Sequence, residues 1–517
     1  MPLSLTPTAL QRMSRAGPFS GCMLFWLLCA CSGGAATEHG DGPLVVLLPR
    51  EALEIDPRFS GDPYGHKVSR LLFASLVTID PQTLEVVPDL AEEVVIESPT
   101  RYRAKLRSGL RFSDGTALDA DDVAATFRSV VDPGFGSRYA STYSQIERVE
   151  VVSPLEVVFH LRGPHATFLA DLELPVLRAE DEHRHLGALG AAAPAGAGPY
   201  VLASRSASQI DLVANPHWYG GAVRFPVVRM LVVHDDNTRA LRLLAGAGDL
   251  AMSAVPPLLL PLFEHDPRFV VRSAPGVGTT YMGLNLEAAA LRDVRVREAL
   301  AYGIDREALV RAKLSGRARL ASSFIVPGHW AHAAETPRYG YDPARARALL
   351  RAAGRGSGRL HLSLRCGSDR FRQSIARAIV AMLADVGIDV ELRPSEVATL
   401  IADLNRGRFE LTMLEVPEVV EPHVLSWFFG ADHVPGNGRE GANRWRFRNT
   451  DFDAAIEQGR RSVERPARVR AYADAQRILA EQLPVIPLWH EDVVAVENGR
   501  ARAFAVPRLG RFGPLAR

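Results

Sequence analysis

Lysine is nearly missing from this 517-residue chain: Lys67, Lys105 and Lys313 are the only three among 60 basic residues. An almost all-arginine basic set reads as genomic codon bias rather than as a designed basic surface. Charge imbalance is also lacking, since a net charge of +1 gives no electrostatic reason to expect a nucleic-acid partner. Cysteine is scarce, with Cys22, Cys29 and Cys31 crowded near the start and Cys366 alone in the body, which excludes a disulfide-stapled scaffold. There is no Gly-Lys pair, hence no P-loop, and no GxSxG, HExxH or CxxC pattern, so the common signatures of nucleotide hydrolysis, serine hydrolysis and zinc binding are missing. A two-carboxylate hydrolase leaves little local trace, and that class stays open.

What is present is ordinary for a large folded protein: 47% hydrophobic and 23% charged residues over a length that calls for two or three lobes. Arg12 and Arg15 precede the apolar run Cys22 to Cys31, too short to span a bilayer but suited to a signal-peptide core over residues 1–30. Leu28-Cys29-Ala30-Cys31 resembles a bacterial lipobox, which makes Cys31 the expected lipidated N-terminus, with residues 31–42 as a small, polar tether. A plain cleaved signal peptide is the alternative. The reading is an exported chain, periplasmic or at the cell surface, held to a membrane by lipid at Cys31; Ser32 is compatible with outer-membrane retention.

The stretch LRSGLRFSDGTALDADDVAATF, Leu106 to Phe127, carries four aspartates that invite a catalytic reading. Local physics accounts for all of them. Asp114-Gly115 is a turn dipeptide, Asp119 sits at a helix N-cap, and Asp121 and Asp122 fall in the first turn, opposing the positive end of the helix dipole. Val123, Phe127 and Val130 follow at helical spacing, and Asp132-Pro133 closes the helix. Further elements are legible in the same way: a buried strand in PLVVLLP; a helical pattern in KVSRLLFASLVTI; strands in RYRAKLR and LEVVFHLR; a strand pair in Gly196–Leu202 and Leu212–Gly221; and a helix over 236–250. Downstream come a strand at Tyr281–Ala289, two helices in Asp293–Val310, and a helix with Asp342 as cap, Pro343 at its first position and Gly354 at its end. RLHLSLRCG and the following segment to Arg393 alternate strand, helix and strand, which argues for a mixed α/β lobe.

Five of these segments, in order, resemble the extracellular solute-binding proteins of the peptide/nickel class of ABC importers, the dipeptide- and oligopeptide-binding family. PDLAEEV matches its "P-x-L-A-E-x-W" segment with Val94 in place of tryptophan, and the aspartate-rich stretch matches "L-R-x-G-V-x-F-H-D-G-T-P-L-T-A-E-D-V". GAGPYVL, NPHWYGG and DVRVREALAYGIDREALV match the other three.

The resemblance implies an α/β, two-lobe, periplasmic-binding-protein-like fold with an extra subdomain in the first lobe and a hinge between lobes. On this reading the first lobe covers 43–284 with the subdomain at about 70–190, the second 285–485, and 486–517 return to the first. The implied function is capture of a short peptide or similar small solute, delivered by a monomeric binding protein to ABC permease subunits, with no cofactor, metal or covalent chemistry. A non-transport receptor on the same fold is the second reading. By the family's "W-x-A-D-Y-x-D-P" segment, Glu418 falls at the position that pairs with a peptide's amino group and Glu415 replaces the tryptophan, while the same glutamates also fit a solvated loop. Trp427, Tyr281, Asn285, Arg444 and Trp445 are further ligand-contact candidates, with core packing the alternative for the aromatics. His183 and His185 lie in a charged segment that reads as solvated rather than metal-binding.

Overall fold

A computed structural model describes residues 42–187, 193–356, 358–436 and 441–517. The signal-peptide reading, Cys31 and most of the tether lie outside the described residues.

The first lobe is built on a seven-stranded sheet in the order Phe269–Ala274, Val493–Asn498, Leu250–Met252, Leu44–Leu48, Val227–Val232, Gln209–Ala214, Tyr200–Arg205. Leu44–Leu48 runs parallel to both its neighbours. A strand inside a sheet with both faces covered should be apolar at consecutive positions, and LVVLL is that pattern. Two expected boundaries shift here. The 236–250 helix stops at Leu244, because Gly246 takes φ 74 and the chain re-enters the sheet at Leu250. The second strand of the expected pair ends at Ala214, and Asn215 turns away with its side-chain amide donating to the Gly198 carbonyl at 2.8 Å.

The subdomain is a four-stranded antiparallel sheet, ordered Ala91–Ser98, Arg101–Leu106, Glu156–Leu161, Ile146–Ser153. Helix Ala120–Val131 lies on one face, with the Phe127 and Phe159 rings 4.9 Å apart. The four aspartates do what turn and cap chemistry requires. Asp114 accepts the Thr116 N–H at 3.0 Å, Asp119 accepts the Asp121 N–H at 2.9 Å, and Asp122 accepts the N–H of Asp119 at 2.9 Å and of Ala179 at 2.7 Å. Asp121 stands exposed in the first turn.

The second lobe carries a six-stranded sheet ordered Ala318–Leu320, Val485–Glu491, Thr279–Leu284, Leu411–Val416, Leu360–Gly367, Ile388–Ser395. The βαβ unit forms as expected: Leu360–Gly367 and Ile388–Ser395 are parallel and flank helix Arg370–Asp385. Asp342 accepts the Arg345 N–H at 2.8 Å at the head of helix Pro343–Ala352.

Strand Thr279–Leu284, read from the sequence as first-lobe, hydrogen-bonds to Leu411–Val416 and Val485–Glu491, so sheet membership changes between Ala274 and Thr279. It changes back at Asp492, between Glu491 and Val493, rather than at 486. The boundary was illegible because the sheet partners of both strands sit more than a hundred residues away, where no local pattern points to them. The two crossings touch: a Cβ on Gly276 would lie 2.2 Å from the Glu491 carbonyl, so no other residue fits there without backbone movement. Ile79, Leu84, Val277, Val326 and Leu509 form a small apolar cluster beside them.

Candidate functional site

Charged groups from both lobes converge beside the crossings. Helix Pro63–Leu72 buries Tyr64, Val68, Leu71 and Leu72 in the first lobe's core and turns His66, Lys67 and Arg70 outward, positions that share a face at helical spacing. Asp62 caps this helix, accepting the Gly65 N–H at 2.6 Å. Opposite stand Glu415 at the end of strand Leu411–Val416, Glu418 in the loop beyond it, and Glu491 at the end of strand Val485–Glu491.

Arg511 joins the two sides. Its guanidinium pairs with Glu173 of the first lobe at 2.5 Å and with Glu418 of the second, while Arg70 reaches Glu173 at 3.1 Å. Burial alone would raise the Glu173 pKa, but Arg511 and Arg70 together hold it at about 2. Burial would lower the Arg511 pKa, and the two carboxylates reverse that and raise it. The Arg511 Nε is buried with no hydrogen-bond partner among the described residues.

A second pair lies deeper in the second lobe. Arg372 binds Glu415, with Glu491 also in its field. Glu491 itself accepts hydrogen bonds from the Thr280 hydroxyl at 2.8 Å and the Trp489 N–H at 3.2 Å. Glu415 is 31% exposed, yet burial is the chief cause of its raised pKa, with Glu491 adding to it and Arg372 opposing. A carboxylate that is both accessible and poorly hydrated sits in a cleft, not on an open surface. Glu421, two turns of chain further on, is bound by Arg468 at 2.6 Å, and burial still lifts its pKa to about 7.

The other sequence candidates divide. Tyr281 and Trp445 are 1% and 0% exposed, pack ring to ring at 5.5 Å and belong to the second lobe's core. They are packing residues because strand Thr279–Leu284 is covered on both faces. Asn285 is buried too, its amide donating to the Phe409 carbonyl at 2.8 Å and its oxygen accepting the Glu287 N–H at 3.1 Å, so it closes a turn. Arg444 donates to Asn405 at 2.8 Å. Trp427 is exposed beside His433. None of these five joins the charged cluster; of the seven ligand-contact candidates, Glu415 and Glu418 do. His185 hydrogen-bonds Glu54 at 2.8 Å and packs at a tilt against Phe59.

Lys67, Arg70, Glu173, Arg372, Glu491 and Arg511 escaped sequence reasoning. One signal was available: in a chain that uses arginine almost throughout, a lysine at position 67 is an exception. A cavity of about 360 Å³ in the second lobe, lined by Arg306, Ala321, Tyr339 and Pro487 among others, is a weaker candidate. Of its two arginines, Arg306 is spent on the carbonyls of Ala321 at 3.0 Å, Pro487 at 2.8 Å and Tyr339, and Arg338 donates to the Ala334 carbonyl at 3.2 Å.

With this geometry in view, the chain matches the family model for bacterial extracellular solute-binding proteins, family 5 Middle, over residues 85–429. It is 28% identical over 509 residues to di/tripeptide-binding protein 2 of Pseudomonas aeruginosa strain UCBPP-PA14, covering 92% of this chain and 94% of that one. It is 25% identical over 508 residues to glutathione-binding protein GsiB of Escherichia coli K12, covering 95% and 97%. Among solved structures it superimposes on NikA from Brucella suis in complex with Fe(III)-EDTA, with TM-score 0.82, 23% identity and coverage of 92% and 100%. DppA from Helicobacter pylori in complex with peptide STSA gives TM-score 0.77 at 22% identity, with coverage of 92% and 97%. The two-lobe α/β binding-protein fold is therefore shared, and these relatives are binding proteins rather than enzymes. Among the described residues no helix is long and apolar enough to cross a membrane. The chain belongs to the family 5 bacterial extracellular solute-binding proteins.

Proposed function

We propose that this chain is the solute-binding component of a peptide-type ABC importer, closing its lobes over a short peptide and delivering it to a membrane permease. The observation that carries the reading is the set of opposed charges across the lobe junction. Lys67 and Arg70 line the first-lobe wall, Glu415, Glu418 and Glu491 line the second, and Glu418 and Glu415 both act on Lys67. A zwitterion such as a free peptide complements a wall of each sign, whereas an oligosaccharide has no charge to offer. The names of two relatives, a di/tripeptide-binding and a glutathione-binding protein, support the same ligand class.

Glu418, at the family's amino-anchor position, is engaged by Arg511, so its part in this reading is a contact shared between ligand and latch. The lobes turn about the crossings at 275–278 and Asp492. Closure works only if the ligand binds the closed form better than the open one.

The test is a thermal-shift screen of the purified protein, unfolded and refolded to strip any ligand, against pools of short peptides, nickel chelates and oligosaccharides. A ligand at a hundred times its dissociation constant adds about 2.7 kcal/mol of stability. A raised melting temperature with peptides alone is the expected result; a shift with another pool and none with peptides would reassign the ligand. The membrane anchor belongs to the same proposal: labelled palmitate should be incorporated by the wild type and not by Cys31→Ser.

A further inference from the structure

We propose that Lys67 is the receptor for a carboxylate of the ligand, which fixes the orientation of a bound peptide with its acid end on the first lobe. This rests on the peptide reading above but concerns a residue that the reading does not require.

The argument starts from which charges are already spent. Arg70 and Arg511 are held by Glu173 and Glu418, and Arg372 is held by Glu415. Lys67 is different. Its ammonium makes no hydrogen bond or ion pair to any described residue, and lies 5.1 Å from the Tyr64 ring centroid and 5.7 Å from that of Phe512. Aromatic faces attract a cation but leave all three of its N–H donors open. The side chain is half-buried, so water reaches the ammonium only partly, and burial is the main influence depressing its pKa. Glu418 and Glu415 act on it from across the cleft without reaching it. A poorly hydrated ammonium with unused donors, walled by two rings and facing a cleft, is a site for an anion supplied from outside.

Position supports this. Lys67 stands beside Gly510, whose Cβ, if it had one, would lie 3.7 Å from the ammonium. The next residue in the chain, Arg511, has a buried Nε with no hydrogen-bond partner among the described residues. On the far wall Glu491 hydrogen-bonds, among the described residues, only to neutral donors, while its cationic neighbour Arg372 is ion-paired to Glu415.

The scarcity of lysine makes the test direct. Lys105 is ion-paired to Glu92, and Lys313 lies on a different helix of the second lobe. The purified protein carrying isotope-labelled lysine gives three side-chain NMR signals, assigned by Lys67→Met, Lys105→Met and Lys313→Met. Alanyl di-, tri- and tetrapeptides are added as free acids and as C-terminal amides, alongside succinate and glutarate. The expected result is that the free acids move the Lys67 signal and leave the other two in place. By calorimetry the amides should bind at least tenfold more weakly, a difference that disappears in Lys67→Met.

Amides that bind as tightly as acids, with the Lys67 signal unmoved, would overturn the carboxylate role and leave the peptide reading standing. Silence from every peptide together with a Lys67 shift on adding succinate or glutarate would overturn the peptide reading and keep the subsite. If neither class moves the signal, both fall. The NMR arm uses wild-type protein, so the outcome does not depend on the folding of Lys67→Met.

Discussion

The carboxylates at Asp114 to Asp122 and those at Glu415 to Glu421 look alike on the page, but they find their partners at different ranges. Of the first group, Asp114, Asp119 and Asp122 each hold a backbone N–H two or three residues away, and among the described residues distant partners are added to these only at Asp114, by Arg178, and at Asp122, by the Ala179 N–H. The second group is held by guanidiniums brought from far off: Arg372 for Glu415, Arg511 for Glu418, Arg468 for Glu421. Local partners make a carboxylate a piece of helix or turn, and its loss frays one end. Distant partners make it a piece of tertiary structure, and here three such pairs sit at or near the meeting of two lobes. The lesson is that the chemistry of a carboxylate is set by who neutralises it, which a short window of sequence cannot reveal.

The largest test of that contrast is Arg511→Met. It strips Glu173 and Glu418 of their shared partner while both stay partly desolvated, and should cost about 3–5 kcal/mol in urea unfolding. A loss under about 1 kcal/mol, the range of exposed pairs, would erase the distinction.

Acid titration is next. Glu173 is held at about 2, below its ordinary value near 4.5, so it stabilises the fold above pH 4.5 and loses that contribution as pH falls toward 2. The span corresponds to roughly 3 kcal/mol, and it should shrink in the Arg511→Met profile, where Arg70 alone remains beside Glu173. Glu421 runs the other way. Its pKa is raised to about 7, so its share of stability is complete below pH 4.5 and is lost as pH rises to 7. Glu421→Gln should therefore flatten the profile between pH 4.5 and 7; an unchanged slope would mean that Glu421 does not titrate there.

The local group should respond more gently. Asp119→Ala removes a cap and should cost about 1 kcal/mol, with no change in ligand affinity measured by calorimetry. An affinity loss would show that the cap cluster communicates with the cleft. Smallest of all, Arg148→Ala breaks an exposed pair with Glu150 and should stay within about 0.5 kcal/mol.

Range also explains how much of the molecule was legible. The Asp119 cap, the Asp342-Pro343 start and the strand–helix–strand unit from Leu360 to Ser395 are written in short continuous windows of the chain, and they form where expected. Boundaries that depend on remote pairing were missed, as with Thr279–Leu284 and its partners at Leu411–Val416 and Val485–Glu491. Glu415 and Glu418 were found through family position. Their partners were not, because Arg372 and Arg511 lie 43 and 93 residues away in segments with no distinguishing local pattern. Tyr281 and Trp445 carry the residue types of a binding site, but their surroundings make them core.

The contact between Gly276 and the Glu491 carbonyl has a mechanical meaning. On the proposed closure, two crossings pressed backbone to backbone would act as a fulcrum, with the lobes as the arms of a lever. Glu491 supplies this contact with its main chain, so a ligand charge held by its carboxylate would be felt at the point of greatest leverage. A displacement too small to disturb the sheet on either side is multiplied along each arm before it reaches the outer rim. Gly276→Ala would press on the fulcrum itself, shifting the Glu491 main chain and with it one charged group of the proposed site.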